Sequence, residues 1–294
     1  MTITPDTLTL LGAGYTARAL ARRLRETDWR INGSVREKRK AEMIVANGIA
    51  PFVWNNDFIK PEHLGETTAI LVSTPPADAG CPALNALRHA IITEKAPQPS
   101  DIRWLGYLSS NGVYGDHNGA WVHEKSAMLA TSERSKRRIK AERLWRDFAD
   151  EHELPLTIFR LPGIYGPGRS AIDTVRSGNA KRIYKPGQVF NRMHVDDIAR
   201  VLATSLHELI TPELVNLSDD EPSPPQDVIE YACSLLGVEP PPLVSIDQAQ
   251  LSPMAASFYT DNKRISNALM KKTFGLDLEY PSYREGLRAI YEDE

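Results

Sequence analysis

Gly12, Gly14 and Ala17 are spaced as Gly-x-Gly-x-x-Ala, an arrangement that could hold a pyrophosphate. Gly12 permits a tight turn, Gly14 lets backbone approach the phosphates, and the small Ala17 allows a helix to pack closely on a strand. Tyr15 and Thr16 would open that helix, whose unpaired amides attract an anion. Arg36 lies 22 residues beyond Gly14, close to the roughly 20 at which a dinucleotide-binding unit reads the adenosine ribose. Guanidinium offers planar, permanently charged, bidentate recognition, which suits a 2′-phosphate and so favours NADP(H), with NAD as the other possibility. The competing reading of Arg36-Glu37-Lys38-Arg39-Lys40 is a solvated loop opening a helix.

The elements needed to position these residues are legible around them. Leu8–Leu11 is a short apolar run, and Ala17, Leu20, Ala21 and Leu24 recur on one helical face while Arg18, Arg22, Arg23 and Arg25 occupy the other. Trp29–Val35 and Ile49–Trp54 read as the next strands. The second ends at Asn55-Asn56-Asp57, whose polar groups, Asp57 included, either reach an adenine or cap a loop. Ala69–Ser73 reads as a buried fourth strand stopped by Thr74-Pro75-Pro76, Leu84–Thr93 as a helix, and Trp104–Ser109 as a fifth strand. Strands alternating with helices predict an α/β fold, a doubly wound parallel sheet of the Rossmann type with a small C-terminal substrate lobe. The core is expected over 1–168, returning at about 190–220, with 169–294 supplying mainly lobe and closing elements.

Bulk properties narrow the classes of partner. The chain has 294 residues, is 41% hydrophobic and carries a formal charge of −3, enough for a large core and with no bulk electrostatic reason to expect nucleic acid or an anionic membrane. Cys81 and Cys233 are its only cysteines, and no His/Cys cluster has metal-ligand spacing, so neither a disulfide framework nor a metal is expected. The first residues lack signal-peptide features and no run of about 18 apolar residues occurs, which predicts a cytoplasmic protein acting on a small molecule, as a monomer or homodimer.

Ser109-Ser110-Asn111-Gly112-Val113-Tyr114-Gly115 resembles the Ser-Ser-x-x-Val-Tyr-Gly of the extended short-chain dehydrogenase/reductases, the group of nucleotide-sugar epimerases and dehydratases. Three further stretches match in the family's order: Glu124 before a polar segment, Arg160-Leu161-Pro162-Gly163-Ile164-Tyr165-Gly166-Pro167-Gly168, and His194-Val195-Asp196-Asp197. The resemblance implies that Ser110 hydrogen-bonds the reacting oxygen beside a nicotinamide, that Thr74 and Pro75 lie along the cofactor, and that Pro162 and Ile164 lie near its carboxamide. Asp196 and Asp197 suit helix capping better than reaction, and His194 suits a satisfied buried position.

The family's catalytic Tyr-x-x-x-Lys is not present. Counting back from Glu142, which matches a common family acid, places Arg134 at the tyrosine position and Arg138 at the lysine position. Helical phase agrees: Arg134 projects about 20° from Trp145 on the apolar face and Arg138 about 40° from Arg134, while Lys136 and Lys140 project away. Either the two arginines face the cofactor cleft or the segment is a solvated basic face. A guanidinium stays protonated, so it can clamp an anion or stabilise an oxyanion but shuttles protons poorly. The proton donor would be Tyr114, Tyr165, water or the substrate, and the resemblance implies that the two tyrosines more often pack in the structure. This pattern resembles the atypical epimerase/dehydratase-like members, including the YeeZ-type bacterial proteins. It implies an oxidoreductase, epimerase or dehydratase-like enzyme for a small polar metabolite, or, as the competing class, a non-catalytic NADP(H)-binding sensor or scaffold.

Beyond Gly168 the sequence predicts a helix over Ser170–Gly178, a basic loop or strand at Lys181–Lys185, helices over Val195–Leu209 and Pro225–Leu236, and a strand at Leu214–Ser218. Lys181, Arg182, Lys185 and Arg192 could bind an anionic substrate such as a sugar nucleotide. The family's diphosphate-gripping arginine, however, corresponds to Phe190.

Overall fold

The structure is a computed structural model, and it describes residues 6–293 except 56, 79 and 95. In chain order the first elements are β1 (Thr7–Leu11), α1 (Tyr15–Arg23), β2 (Arg30–Val35), α2 (Ala41–Val45), β3 (Ala50–Val53), β4 (Ala69–Val72), α3 (Pro82–His89), β5 (Trp104–Ser110), β6 (Trp121–Val122) and α4 (Glu133–Glu151). β7 (Leu156–Leu161), β8 (Gly163–Tyr165), α5 (Ala171–Arg176), β9 (Arg182–Tyr184), β10 (Arg192–His194), α6 (Val195–Glu208) and β11 (Leu214–Asn216) follow. The chain closes with α7 (Pro225–Leu236), β12 (Leu243–Ser245), α8 (Pro253–Phe258), β13 (Arg264–Ile265), α9 (Ala268–Phe274) and α10 (Tyr283–Glu292).

These elements fall into two compact units, the first comprising residues 1–110, 136–160 and 198–215, the second 111–135, 161–197 and 216–294. The first unit is built on a seven-stranded parallel sheet in the order β11-β7-β5-β4-β1-β2-β3. Leu8 sits opposite both Ile31 and Ala69, so β1 has β2 on one side and β4 on the other. That is the point where the strand order reverses, and in doubly wound sheets ligands bind beyond the carboxyl ends of the strands there. Every residue of β1 and β4 is buried, as expected of strands covered on both faces, whereas β3 at the edge exposes three of its four residues and contains Pro51. The core of this unit packs Leu11, Val72, Leu105 and Tyr107 with Trp145 and Phe148 of α4.

The second unit has its own apolar core, in which Tyr165 and Ile172 meet Val228, Ala232, Tyr283 and Leu287. Its strands form three short parallel pairs, β8 with β10, β9 with β12 and β6 with β13. Their two or three residues carry no periodic signal, and none but the β9 segment was legible in advance. Helix ends here follow local chemistry. Ser170 and Asp173 form a capping box at α5, Ser282 and Glu285 another at α10, and Gly237 at φ 66° ends α7.

Several expected boundaries shift for the same reasons. Ser170 is a cap rather than a helical residue, so the helix expected over Ser170–Gly178 is confined to Ala171–Arg176. The expected Leu84–Thr93 helix begins two residues earlier, at Pro82, since proline suits the first turn, and gives way to a wider-wound turn at Ala90–Glu94. Among the described residues no helix is long and apolar enough to cross a membrane.

Candidate functional site

The turn between β1 and α1 is braced from both flanking strands of the first unit. Gly12 donates its amide to Ser34 Oγ at 2.7 Å, Ala13 donates to the Ser34 carbonyl at 2.9 Å, and Ser73 Oγ donates to the Gly12 carbonyl. Gly12 adopts φ +100°, and a Cβ there would meet Ser73 Oγ and Thr74 Cγ2 at 2.9 Å, so a side chain is excluded by conformation and by space. Gly14 is different. It is exposed, and a Cβ built on it meets nothing within 4 Å. It stands at the N-cap of α1, a helix start with no side-chain cap and no acidic residue in its first turn. Behind it Thr16 and Ala17 are buried and Tyr15 is half-buried. The Ser34 and Ser73 braces are residues that sequence reasoning missed, because a serine at a strand end has no distinctive pattern.

Thr74 follows β4 directly. It is 9% exposed, and its hydroxyl has no hydrogen-bond partner among the described residues, while Pro75 beside it is exposed. Arg36 follows β2 directly and is exposed; Glu37 next to it pairs instead with Arg39 and Lys40. The Arg39 guanidinium accordingly holds the Glu37 carboxyl below its usual range, and Arg36 enters no ion pair among the described residues. Asp57 is exposed and accepts from Trp54 Nε1 through its backbone carbonyl at 3.2 Å; Asn56 lies outside the described residues. Open space at Gly14, an uncapped helix start, a buried Thr74 hydroxyl without a partner and an Arg36 in no ion pair among the described residues leave room and donors for a dinucleotide at the strand ends.

Ser110 is the last residue of β5 and is half-buried. Arg138 on α4 turns toward that strand, donating from Nη1 to the Leu108 carbonyl at 2.6 Å and to the Tyr107 hydroxyl at 3.3 Å, with its guanidinium 5.9 Å from the Tyr107 ring. Arg134 does not share this environment. It is exposed in the first turn of α4, its guanidinium 4.7 Å from the Phe258 ring, and Ser135 is the buried residue of that turn.

The tyrosines expected as alternative proton donors are committed to packing. Tyr114 is fully buried and donates its hydroxyl to Asn216 Oδ1 at 2.7 Å, and the Asn216 backbone N–H donates to Glu124 Oε1 at 2.9 Å. A general acid must reach the substrate, so this position corrects the expectation for Tyr114. Tyr165 donates to the Ser282 carbonyl at 3.2 Å, and burial pushes its hydroxyl far above the usual range. Pro162 and Ile164 are half-buried, Ile164 standing opposite Met193 in the β8–β10 pair.

His194 is buried but only half satisfied: its ring lies 4.0 Å from that of Tyr280 and Nδ1 accepts the Asp196 amide at 3.3 Å, whereas Nε2 has no hydrogen-bond partner among the described residues, and burial pushes the pKa down to about 4. Asp197 braces the closing segment, accepting the Glu279 and Tyr280 amides at 2.9 and 2.8 Å.

The strand order and the glycine turn define a doubly wound α/β protein with its ligand-binding end at the β1–β4 reversal. Residues 87–218 match the model of the NAD dependent epimerase/dehydratase family. A solved structure of a functionally unknown conserved protein from Silicibacter pomeroyi is 45% identical, with a TM-score of 0.90 over 98% of this chain and 99% of that one. The chain is thus related over nearly its whole length to the Silicibacter pomeroyi protein, and over residues 87–218 to the NAD dependent epimerase/dehydratase family. Its fold also resembles a dTDP-glucose 4,6-dehydratase from Bacillus anthracis solved with NAD, at 17% identity and TM-score 0.77 over 98% of this chain and 95% of that one. A UDP-glucuronic acid 4-epimerase from Bacillus cereus, also solved with NAD, gives 13% identity and TM-score 0.76 over 98% and 97%. A search of curated proteins found no match.

Proposed function

We propose that the protein binds NADP(H), with NAD as a weaker alternative, and acts as an oxidoreductase or epimerase/dehydratase-like enzyme on a small polar carbonyl or sugar metabolite. The observation that carries the cofactor reading is the open, uncapped helix start at Gly14, with Arg36 unpaired at the end of the neighbouring strand. Gly12, Gly14, Tyr15, Thr16 and Ala17 would hold the pyrophosphate, Arg36 the 2′-phosphate and Asp57 the adenosine end. Thr74, Pro75, Pro162 and Ile164 would line the path toward the nicotinamide. A bound nicotinamide supplies hydride acceptance and donation. Ser110 would hydrogen-bond the reacting oxygen, and Arg138, anchored two residues back on the same strand, would stabilise negative charge that develops on it. Arg134, exposed over Phe258, is suited to clamping an anionic group.

With Tyr114 and Tyr165 buried, the proton comes from water or from the substrate itself. The same burial is what favours the second reading, a non-catalytic NADP(H) sensor, and turnover separates the two. Fluorescence titration is expected to show NADPH binding more tightly than NADH and the preference disappearing in Arg36→Ala. Equal affinity in wild type would sink the cofactor assignment. NADPH oxidation against a panel of carbonyl metabolites should then fall in Ser110→Ala and Arg138→Met; binding without any turnover supports the sensor.

A further inference from the structure

The second unit holds a cavity of about 770 Å³ bordered by α5, α7, α10 and β10, a size that accommodates a small metabolite. Three cations line it, Arg169, Lys181 and Arg192, against one carboxylate, Asp173. That carboxylate is already engaged: its Oδ2 accepts from the Ser170 amide at 2.7 Å and from Ser170 Oγ at 2.5 Å. Val228, Ile229 and Leu287 supply an apolar wall. The other two cations of the basic segment are used elsewhere, Arg182 pairing with Glu230 at 2.6 Å and Lys185 donating to the Tyr259 carbonyl.

Arg192 is the residue that needs explaining. Its half-buried guanidinium donates to Ser223 Oγ and packs 5.7 Å from the centre of the Tyr283 ring, yet it enters no ion pair among the described residues. The acid that acts on it most strongly is Asp219, which is 1% exposed and whose side-chain oxygens have no hydrogen-bond partner among the described residues. Burial raises the Asp219 carboxyl well above its usual range, with the Arg192 charge acting in the opposite direction. Withdrawing a cation from water without pairing it is costly, and the open side of Arg192 is the cavity. Among the described residues Lys181 likewise has no carboxylate partner, its Nζ donating to the Gln250 carbonyl at 3.4 Å.

We infer that this cavity binds a small phosphorylated metabolite, its phosphate held by Arg192 and Lys181 and its carbon body lying against Val228, Ile229 and Leu287. Arg192 and Lys181, neither in an ion pair among the described residues, beside one engaged carboxylate match a dianionic phosphate better than a single carboxylate, and a planar guanidinium beside a flexible ammonium is a common way to hold one. Phe190, the position of the family's diphosphate grip, is not among the lining residues. The inference rests on the second unit alone and does not require a dinucleotide to bind.

Calorimetric titration of the full chain with glucose 6-phosphate, inorganic phosphate and glucose tests it. Both phosphate-bearing probes are expected to bind, glucose 6-phosphate more tightly, and glucose to give no heat up to about 10 mM. Lys181→Ala should weaken glucose 6-phosphate by about tenfold and Arg192→Met by at least as much, since each removes a charge-assisted contact. Lys181 is exposed, so its variant informs even where Arg192→Met folds poorly. NADPH affinity in Lys181→Ala should match wild type. Absence of binding by both phosphate probes to about 10 mM, glucose binding as well as its phosphate, or unchanged affinity in Lys181→Ala would each overturn the assignment. Loss of NADPH binding with phosphate binding intact would overturn the cofactor reading alone.

Discussion

Glu142 and Arg160 meet as a two-pronged ion pair from which water is excluded: Arg160 Nε lies 3.0 Å from Oε1 and Nη2 lies 2.7 Å from Oε2, with the side chains 0% and 2% exposed. Ser109 Oγ donates to the same Oε1 at 2.6 Å. The contact ties α4 to β5 and β7, the strand that presents Ser110 and the strand beside it. Removing one partner leaves the other's buried charge without its two-pronged contact, although Glu142 would keep Ser109 and Arg146, whose Nη2 is 3.7 Å away. Glu142→Ala and Arg160→Ala are therefore each expected to lower unfolding free energy by about 3–5 kcal/mol, whereas an apolar pair of matched volume at both positions should recover most of it. Denaturant unfolding of the two single variants and the double variant measures this; additive losses would rule out a coupled pair.

Gly12 and Gly14 should respond differently to the same substitution. Alanine at Gly12 must take up φ +100° and meet Ser73 and Thr74 at 2.9 Å, so Gly12→Ala is expected to destabilise the fold by about 1–3 kcal/mol. Gly14→Ala meets nothing within 4 Å and its φ of −79° suits any residue, so stability should stay within about 0.5 kcal/mol of wild type. The methyl group would instead occupy the space a pyrophosphate needs. NADPH affinity should fall in Gly14→Ala while its melting temperature holds, and thermal melts beside fluorescence titrations separate the two effects.

That contrast also marks what the sequence makes legible. β1, the glycine turn and α1 are readable because the apolar spacing changes from continuous to helical within a few residues, and α7 is readable to its last residue because Gly237 ends it. Arg138 was placed by helical phase and does turn toward β5. Arg134, nearly in phase with buried Trp145, is exposed because it lies in the first turn of α4, where Phe258, far along the chain, receives it. Periodicity reports a helix's own faces and not the partner that reaches its end. The partner of Tyr114 is hidden for a similar reason, since Asn216 is 102 residues away. The cavity beside Arg192 depends on four separate elements coming together, which no local pattern encodes.

Tyr114 offers a direct check on the source of the proton. Tyr114→Phe removes the hydroxyl from Asn216 and leaves a buried amide oxygen short of a donor, which should cost about 1–3 kcal/mol of stability. Any turnover that depends on Ser110 should keep its kcat, because a hydroxyl enclosed in the fold does not reach a substrate. A fall of about 100-fold or more in kcat at temperatures where the variant is folded would instead make Tyr114 the proton donor.

His194 should make the fold sensitive to mild acid. Its pKa is about 4 in the folded chain because burial disfavours the imidazolium, against about 6.5 for an exposed histidine. The unfolded chain therefore binds the proton more readily, so the contribution is present above about pH 6.5 and is lost progressively as pH falls toward 4. The interval corresponds to about 3 kcal/mol at most. Asp219, whose carboxyl is raised by burial, acts with the opposite sign, its contribution being present at low pH and lost as pH rises through its folded pKa. Comparing wild type with His194→Phe isolates the histidine, since Asp219 titrates in both chains. Wild type is expected to lose stability more steeply than His194→Phe between about pH 6.5 and 4 in denaturant titrations at fixed ionic strength. Parallel pH profiles for the two chains would show that the buried imidazole accepts its proton without cost to the fold.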